Sequence, residues 1–153
     1  MVLLLTLNNN LFGCSCIGKK TVKESFKESD LVFKGEAVSK EEIIVYRKLV
    51  GTDSSIKFYF YKYTFEVKIV YKGKVKLSTI QIITGIGKGD CGSKFVVGRE
   101  YIVYSKWKDR YYPAGDNVDK FLYTNICTRT TSNINVEQNE IEEYRRRCRW
   151  VTK

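Results

Sequence analysis

Residues 57–71 read KFYFYKYTFEVKIVY, and this stretch decides the fold class. Tyr59, Tyr61, Tyr63, Phe65, Val67, Ile69 and Tyr71 share one parity, while Lys62, Thr64, Glu66 and Lys68 hold the other. Alternation of this kind predicts a long antiparallel strand with one face in a core, and assigns the Tyr59–Tyr71 stripe to that core. Long strands bent at glycines belong to small barrels. Upstream, Thr21 to Glu28 is predicted helical, with Val22 and Phe26 four residues apart on one face. Leu31 to Ser39 reads as a strand with Gly35 as a bulge or bend, Ile43 to Leu49 as a second strand, and Gly51 to Ser55 as a turn. Downstream come a turn at Lys72-Gly73-Lys74, a strand over Leu77 to Thr84 and a glycine-rich loop from Ile86 to Asp90. Strands over Glu100 to Trp107 and Phe121 to Cys127 follow, joined through the segment that holds the sole proline. From Asn135 onward Ile141, Tyr144, Cys148 and Val151 fall on one helical face. Glu137, Glu140, Glu142 and Glu143 come early and Arg145 through Arg149 late, as the helix dipole favours. The expected fold is mainly β: a five-stranded, OB-fold-like antiparallel barrel with a short N-terminal helix and a longer C-terminal helix.

Composition bounds the function. The chain has 153 residues, 43% of them hydrophobic, enough for one domain with a packed core. It carries 27 Lys and Arg against 17 Asp and Glu, a formal charge of +10, and no histidine. Without histidine there is no Ser-His-Asp or Cys-His catalysis, no imidazole proton shuttle and no histidine-ligated metal. Gly85-x-Gly87-x-Gly89 lacks the strand-to-helix context of a phosphate loop, and Asp90 and Asp116 read as turn acids without a paired carboxylate. The chain is therefore not expected to be an enzyme, and no cofactor is implied. The charge and the aromatics Phe58, Phe60 and Trp107 allow a nucleic-acid surface on an OB barrel. The lysines, however, are spread over turns and both helices, so nucleic acid is not the expected partner.

Residues 1–13 carry no charged side chain, contain the apolar run Val2 to Leu5, and place the small residue Gly13 before Cys14. They read as an incomplete signal peptide, with residues 14–153 as a single domain that is secreted, periplasmic or cell-surface. Leu11-Phe12-Gly13-Cys14 also resembles a bacterial lipoprotein cleavage box, which would make a lipid on Cys14 the only membrane attachment. Both readings put Cys14 at the mature N-terminus. The five cysteines are 14, 16, 91, 127 and 148. Cys14 and Cys16 of the C-x-C are read as reaching two distant partners rather than each other, for which Cys91 and Cys127 are the candidates. Cys148 is left over, either as a buried thiol or paired between chains.

Several stretches carry a family resemblance. Cys14-Ser15-Cys16 is followed by Ser29-Asp30-Leu31-Val32-Phe33-Lys34-Gly35-Glu36-Ala37-Val38, Tyr63-Thr64-Phe65-Glu66-Val67 and Tyr71-Lys72-Gly73. Cys91-Gly92, Val97-Gly98-Arg99-Glu100-Tyr101-Ile102-Val103 and Asn125-Ile126-Cys127 complete the order. Over residues 14–148 the chain resembles the N-terminal inhibitory domain of the tissue inhibitors of metalloproteinases, within the netrin-like modules, as a simplified relative of bacterial type. The resemblance implies disulfides Cys14–Cys91 and Cys16–Cys127, each worth about 4–5 kcal/mol in the chain-entropy model. It also implies that the α-amine and carbonyl of Cys14 chelate the zinc of a target protease, that Ser15 enters its specificity pocket, and that Cys16 and Ile17 extend the contact. Lys88, Gly89 and Asp90 of the loop before Cys91 would join that surface. The implied partner is a zinc metalloprotease or another extracellular protein, met by a monomer. The chain departs from the family in lacking prolines after C-x-C, a cysteine near Phe26 and a second domain. The alternative the resemblance allows is a netrin-like lipoprotein or extracellular protein-binding module without inhibitory activity.

Overall fold

A computed structural model describes Cys16, Gly18 and residues 20–49, 51–111 and 117–151. The predicted signal peptide, Cys14, Ser15 and Ile17 lie outside the described residues. Helix α1 (Val22–Glu28) starts where local chemistry dictates: Thr21 Oγ1 accepts from the Glu24 N–H, and the Glu24 carboxylate accepts from the Thr21 N–H at 2.8 Å. The strands are β1 (Leu31–Lys48), β2 (Ser55–Lys72), β3 (Thr79–Gly85), β4 (Glu100–Arg110) and β5 (Asn117–Tyr123), followed by helix α2 (Ile134–Val151). The sheet closes on itself as a barrel in the order β1-β2-β3-β5-β4.

Three expectations about strands are corrected. The segments Leu31–Ser39 and Ile43–Leu49 form one 18-residue strand, β1, which pairs with β2 all the way to Lys48 opposite Ser55. The polar residues between them ride an unbroken ladder. The last strand ends at Tyr123, so Cys127 sits in a turn beyond it. The pairings are also not all antiparallel: β3 and β5 run parallel through Ile82 opposite Leu122 and Ile83 opposite Tyr123. A closed ring of five cannot alternate direction all the way round, and the parallel pair absorbs the mismatch.

The tyrosine stripe is core only where β2 belongs to the barrel. Tyr63 and Phe65 are buried with Phe33, Ile82, Tyr101, Val103 and Leu122, and Tyr61 and Val67 pack against them. Phe95, from the segment between β3 and β4, plugs this interior edge-on to Phe65 (5.1 Å) and Tyr101 (4.9 Å). Tyr59 and Ile69 are exposed, and Phe60, of the opposite parity, is buried. The reason is geometric. The distal part of the β1–β2 hairpin outruns the barrel, and three register shifts along β1 rotate the strands relative to the core. Tyr71 joins a second cluster, with Val22, Phe26, Val32, Ile102, Tyr104 and Ile141. This layer lies between the barrel wall and the two helices. Residues 101–105 of β4 are therefore buried on both faces, odd positions toward the barrel and even positions toward the helices.

One register shift falls between Lys34 and Gly35. There a Cβ on Gly35 would stand 2.6 Å from the Glu66 carbonyl oxygen, a backbone atom that cannot step aside. Gly35→Ala is expected to lower stability by about 1–3 kcal/mol. A denaturant midpoint unchanged from the parent chain would contradict this account of the bend.

Candidate functional site

Cys16 and Cys127 form a disulfide with Cα atoms 5.2 Å apart, spanning 111 residues of sequence. Cys127 is presented by a side-chain-closed turn. The Asn125 Oδ1 accepts from the Cys127 N–H at 3.0 Å, and the Asn125 carbonyl accepts from the Thr128 hydroxyl at 2.8 Å. Cys91 lies at the same edge, where its carbonyl accepts from the Ile126 N–H at 2.9 Å. Cys91 is also disulfide-bonded; Cys14, the partner the resemblance implies, lies outside the described residues. Three of the expected cysteines, 16, 91 and 127, thus gather beside Ile126, which is half exposed. Disulfides are more typical of extracellular proteins than of cytosolic ones. Among the described residues no helix is long and apolar enough to cross a membrane.

The loop before Cys91 is organised by Asp90. Its Oδ2 accepts from the Ile86 N–H at 2.7 Å, and its Oδ1 accepts from Gly87 (2.7 Å) and Gly92 (3.1 Å). The turn needs left-handed backbone at Gly87, Gly89 and, unusually for a side-chain-bearing residue, Cys91 at φ 58°. The Asp90 carboxylate therefore faces its own loop, while Lys88 and Gly89 form the exposed tip. Within the expected contact set, Asp90 holds the shape of the loop.

The residues that anchor this edge are ones sequence reasoning passed over. Arg129, two residues after Cys127, is a partly buried residue whose side chain is only 6% exposed. Its Nε donates to Glu137 Oε1 at 2.6 Å, its Nη1 to the Lys20 carbonyl at 2.8 Å, and its Nη2 to Glu140. Glu137, itself 5% exposed, also accepts from the Tyr104 hydroxyl at 2.6 Å. Burial and this bond to a carboxylate push the Tyr104 phenol well above its ordinary range. One guanidinium thus joins the segment after Cys16, the turn after Cys127, β4 and α2. Glu137 had a visible role as a first-turn acid of α2. No local signal marks Arg129, because its partners lie 8, 11 and 109 residues away. Beneath it, the buried Thr124 hydroxyl donates to the Tyr104 carbonyl at 2.8 Å and meets Thr128 and Thr130 at 2.9 and 3.0 Å.

Elsewhere, Cys148 is an exposed thiol on α2, not a buried one, and it hydrogen-bonds with Tyr144. Of the aromatics considered for nucleic acid, Trp107 is exposed but Phe60 is buried. No family model matches the sequence, and no curated protein matches it.

Two measurements test the anchor. Arg129→Met leaves Glu137 buried without its cation, and a loss of about 3–5 kcal/mol is expected. The double variant Arg129→Met, Glu137→Leu should recover much of that loss, because no lone charge remains. Equal destabilisation of the single and double variants would sink the assignment. The second concerns Glu28 on α1, which accepts from Lys20 (2.5 Å) and from Lys106 (3.0 Å) on β4. Those two hydrogen bonds hold its carboxyl at about 2, below the ordinary 4.5. A depressed carboxylate stabilises the fold fully above about 4.5, and that contribution fades as the pH falls toward about 2. In Glu28→Gln the acid branch of the stability–pH curve should be shallower than in the parent chain over that window.

Proposed function

We propose that this chain is a secreted or surface-exposed inhibitor of metalloproteases. In this reading the α-amine and carbonyl of Cys14 chelate the zinc of the target enzyme and displace the water it needs for hydrolysis. The observation that carries the reading is the meeting of Cys16, Cys91 and Cys127 at one edge, beside Ile126 and the Asp90-braced loop. Cys14 precedes Cys16 by two residues and is the cysteine left to pair with Cys91. A segment held by two bridges binds with little loss of ordering entropy. Arg129 adds a third restraint through the Lys20 carbonyl. Ser15 and Ile17, together with the exposed Lys88 and Gly89, would then form the contact surface.

The chelate requires a free amine, so the active species begins at Cys14. A chain starting at Cys14 is expected to form an equimolar, zinc-dependent complex with a metalloprotease from a test panel. Acetylating its α-amine should abolish the complex. Complex formation that survives acetylation refutes chelation and leaves the second reading, a netrin-like protein-binding module. That reading draws on the β1–β2 ribbon beyond the barrel, which exposes Ile44, Tyr46, Ile56 and Tyr59.

A further inference from the structure

The outer edge of β1 loses its neighbour part-way along. β4 pairs with it from Leu31 to Glu36, and Ala37 bonds to Gly98 and Arg99 in the segment before β4. A register shift follows between Ala37 and Ser39, after which β1 runs on with β2 alone. At the far end the Leu49 N–H donates to the Ser54 carbonyl at 3.0 Å, so Leu49 turns its main chain toward β2. In an antiparallel ladder that direction alternates, so Glu42, Ile44, Tyr46 and Lys48 turn their N–H and C=O groups outward. Among the described residues no strand pairs with this edge.

Proteins keep an edge single by placing lysine, proline or a bulge on it. The middle of this one is Ile43, Ile44, Val45 and Tyr46, and its charges stand at the two ends with opposite sign: Glu41 and Glu42 before, Arg47 and Lys48 after. Laid against a reversed copy of itself, the segment is complementary. A two-fold axis through such a ladder sets one residue opposite its own copy. With Val45 on the axis, Ile44 faces Tyr46 and Glu42 faces Lys48 of the second copy, twice each. With Ile44 on the axis, Lys40 would oppose Lys48. Glu42 and Lys48 are exposed and form no ion pair among the described residues. Six residues apart on one strand, they stand about 20 Å from each other and cannot meet within a chain. The neighbouring charges have their own contacts: Lys40 lies over the Tyr61 ring (3.5 Å), Lys57 over Tyr46 (5.8 Å), and Glu41 pairs with Lys62 at 2.6 Å. Ile44 and Tyr46, 42% and 54% exposed, are the apolar side chains that the pairing would cover.

We propose that two copies of this chain associate through β1 as a symmetric antiparallel pair centred on Val45, which joins the two β1–β2 ribbons into one continuous sheet. Glu42, Ile44, Tyr46 and Lys48 each exchange main-chain hydrogen bonds with the residue opposite, and the two Glu42–Lys48 pairs set the register. This dimer replaces the monomer that the family resemblance implies. Neither Cys14 nor the loop before Cys91 takes part, so the proposal stands apart from zinc chelation.

Sedimentation equilibrium of the full chain tests it, in a Cys148→Ser background that removes the exposed thiol as a second route to dimers. A reversible, concentration-dependent dimer is expected. Glu42→Lys and Lys48→Glu should each weaken it about tenfold or more, because two attractive pairs become two repulsive ones. Mixing these two variants in equal amounts should restore dimers, since each then meets the opposite charge at both ends, and so should combining both substitutions in one chain. That recovery separates lost association from lost folding. A chain that stays monomeric at every concentration leaves the edge to some other extended peptide and overturns the proposal. Single variants that dimerise like the parent, or a mixture no tighter than either variant alone, overturn it equally.

Discussion

The buried Arg129 guanidinium is the constraint on which the arrangement depends. It touches the chain on both sides of the Cys16–Cys127 bridge and also the C-terminal helix. A buried ion pair is weak evidence for net stability, because desolvating two charges offsets most of their attraction. Its value here is directional. Glu137 takes Arg129 and Tyr104 on the same oxygen, which fixes where α2 docks on β4. The Lys20 carbonyl then fixes how the N-terminal segment leaves the bridge.

The second determinant is the number of strands. With five in a closed ring, one neighbouring pair has to run parallel, and the chain makes that pair between β3 and β5. β5 leads directly to Asn125, Ile126 and Cys127, and β3 leads directly to the Asp90 loop and Cys91. Two parallel neighbours deliver their following segments to the same end of the barrel. The gathering of Cys91 and Cys127 at one edge is thus a consequence of closure, and it needs no separate contact to bring it about.

What the sequence makes legible follows the range of the interactions. Helix α1 is readable because Thr21 and Glu24 cap it within one turn. The core part of β2 is readable because Tyr63 and Phe65 alternate against Lys62, Thr64 and Glu66. The ends of that stripe are not, since the exposure of Tyr59 and Ile69 depends on where the barrel stops. β4 shows no alternation because helices cover its outer face, so EYIVYSKW gives a strand but no face. For the site, the C-x-C spacing marks two neighbouring cysteines without stating which partner each takes. The loop glycines mark a turn, whereas the inward aim of the Asp90 carboxylate is visible only from the three N–H groups around it. Arg129 is illegible because it is defined by neighbours that converge from distant parts of the chain.

The Cys16–Cys127 bond encloses most of the polypeptide, including the exposed connection at 51–54 between the two longest strands. If an endopeptidase severs the backbone there, the two fragments remain one molecule, tied through sulfur and still zipped along the rest of the sheet. Wherever hydrolases are met, a nick at the ribbon tip becomes a tolerable scar, provided the thiols stay oxidised.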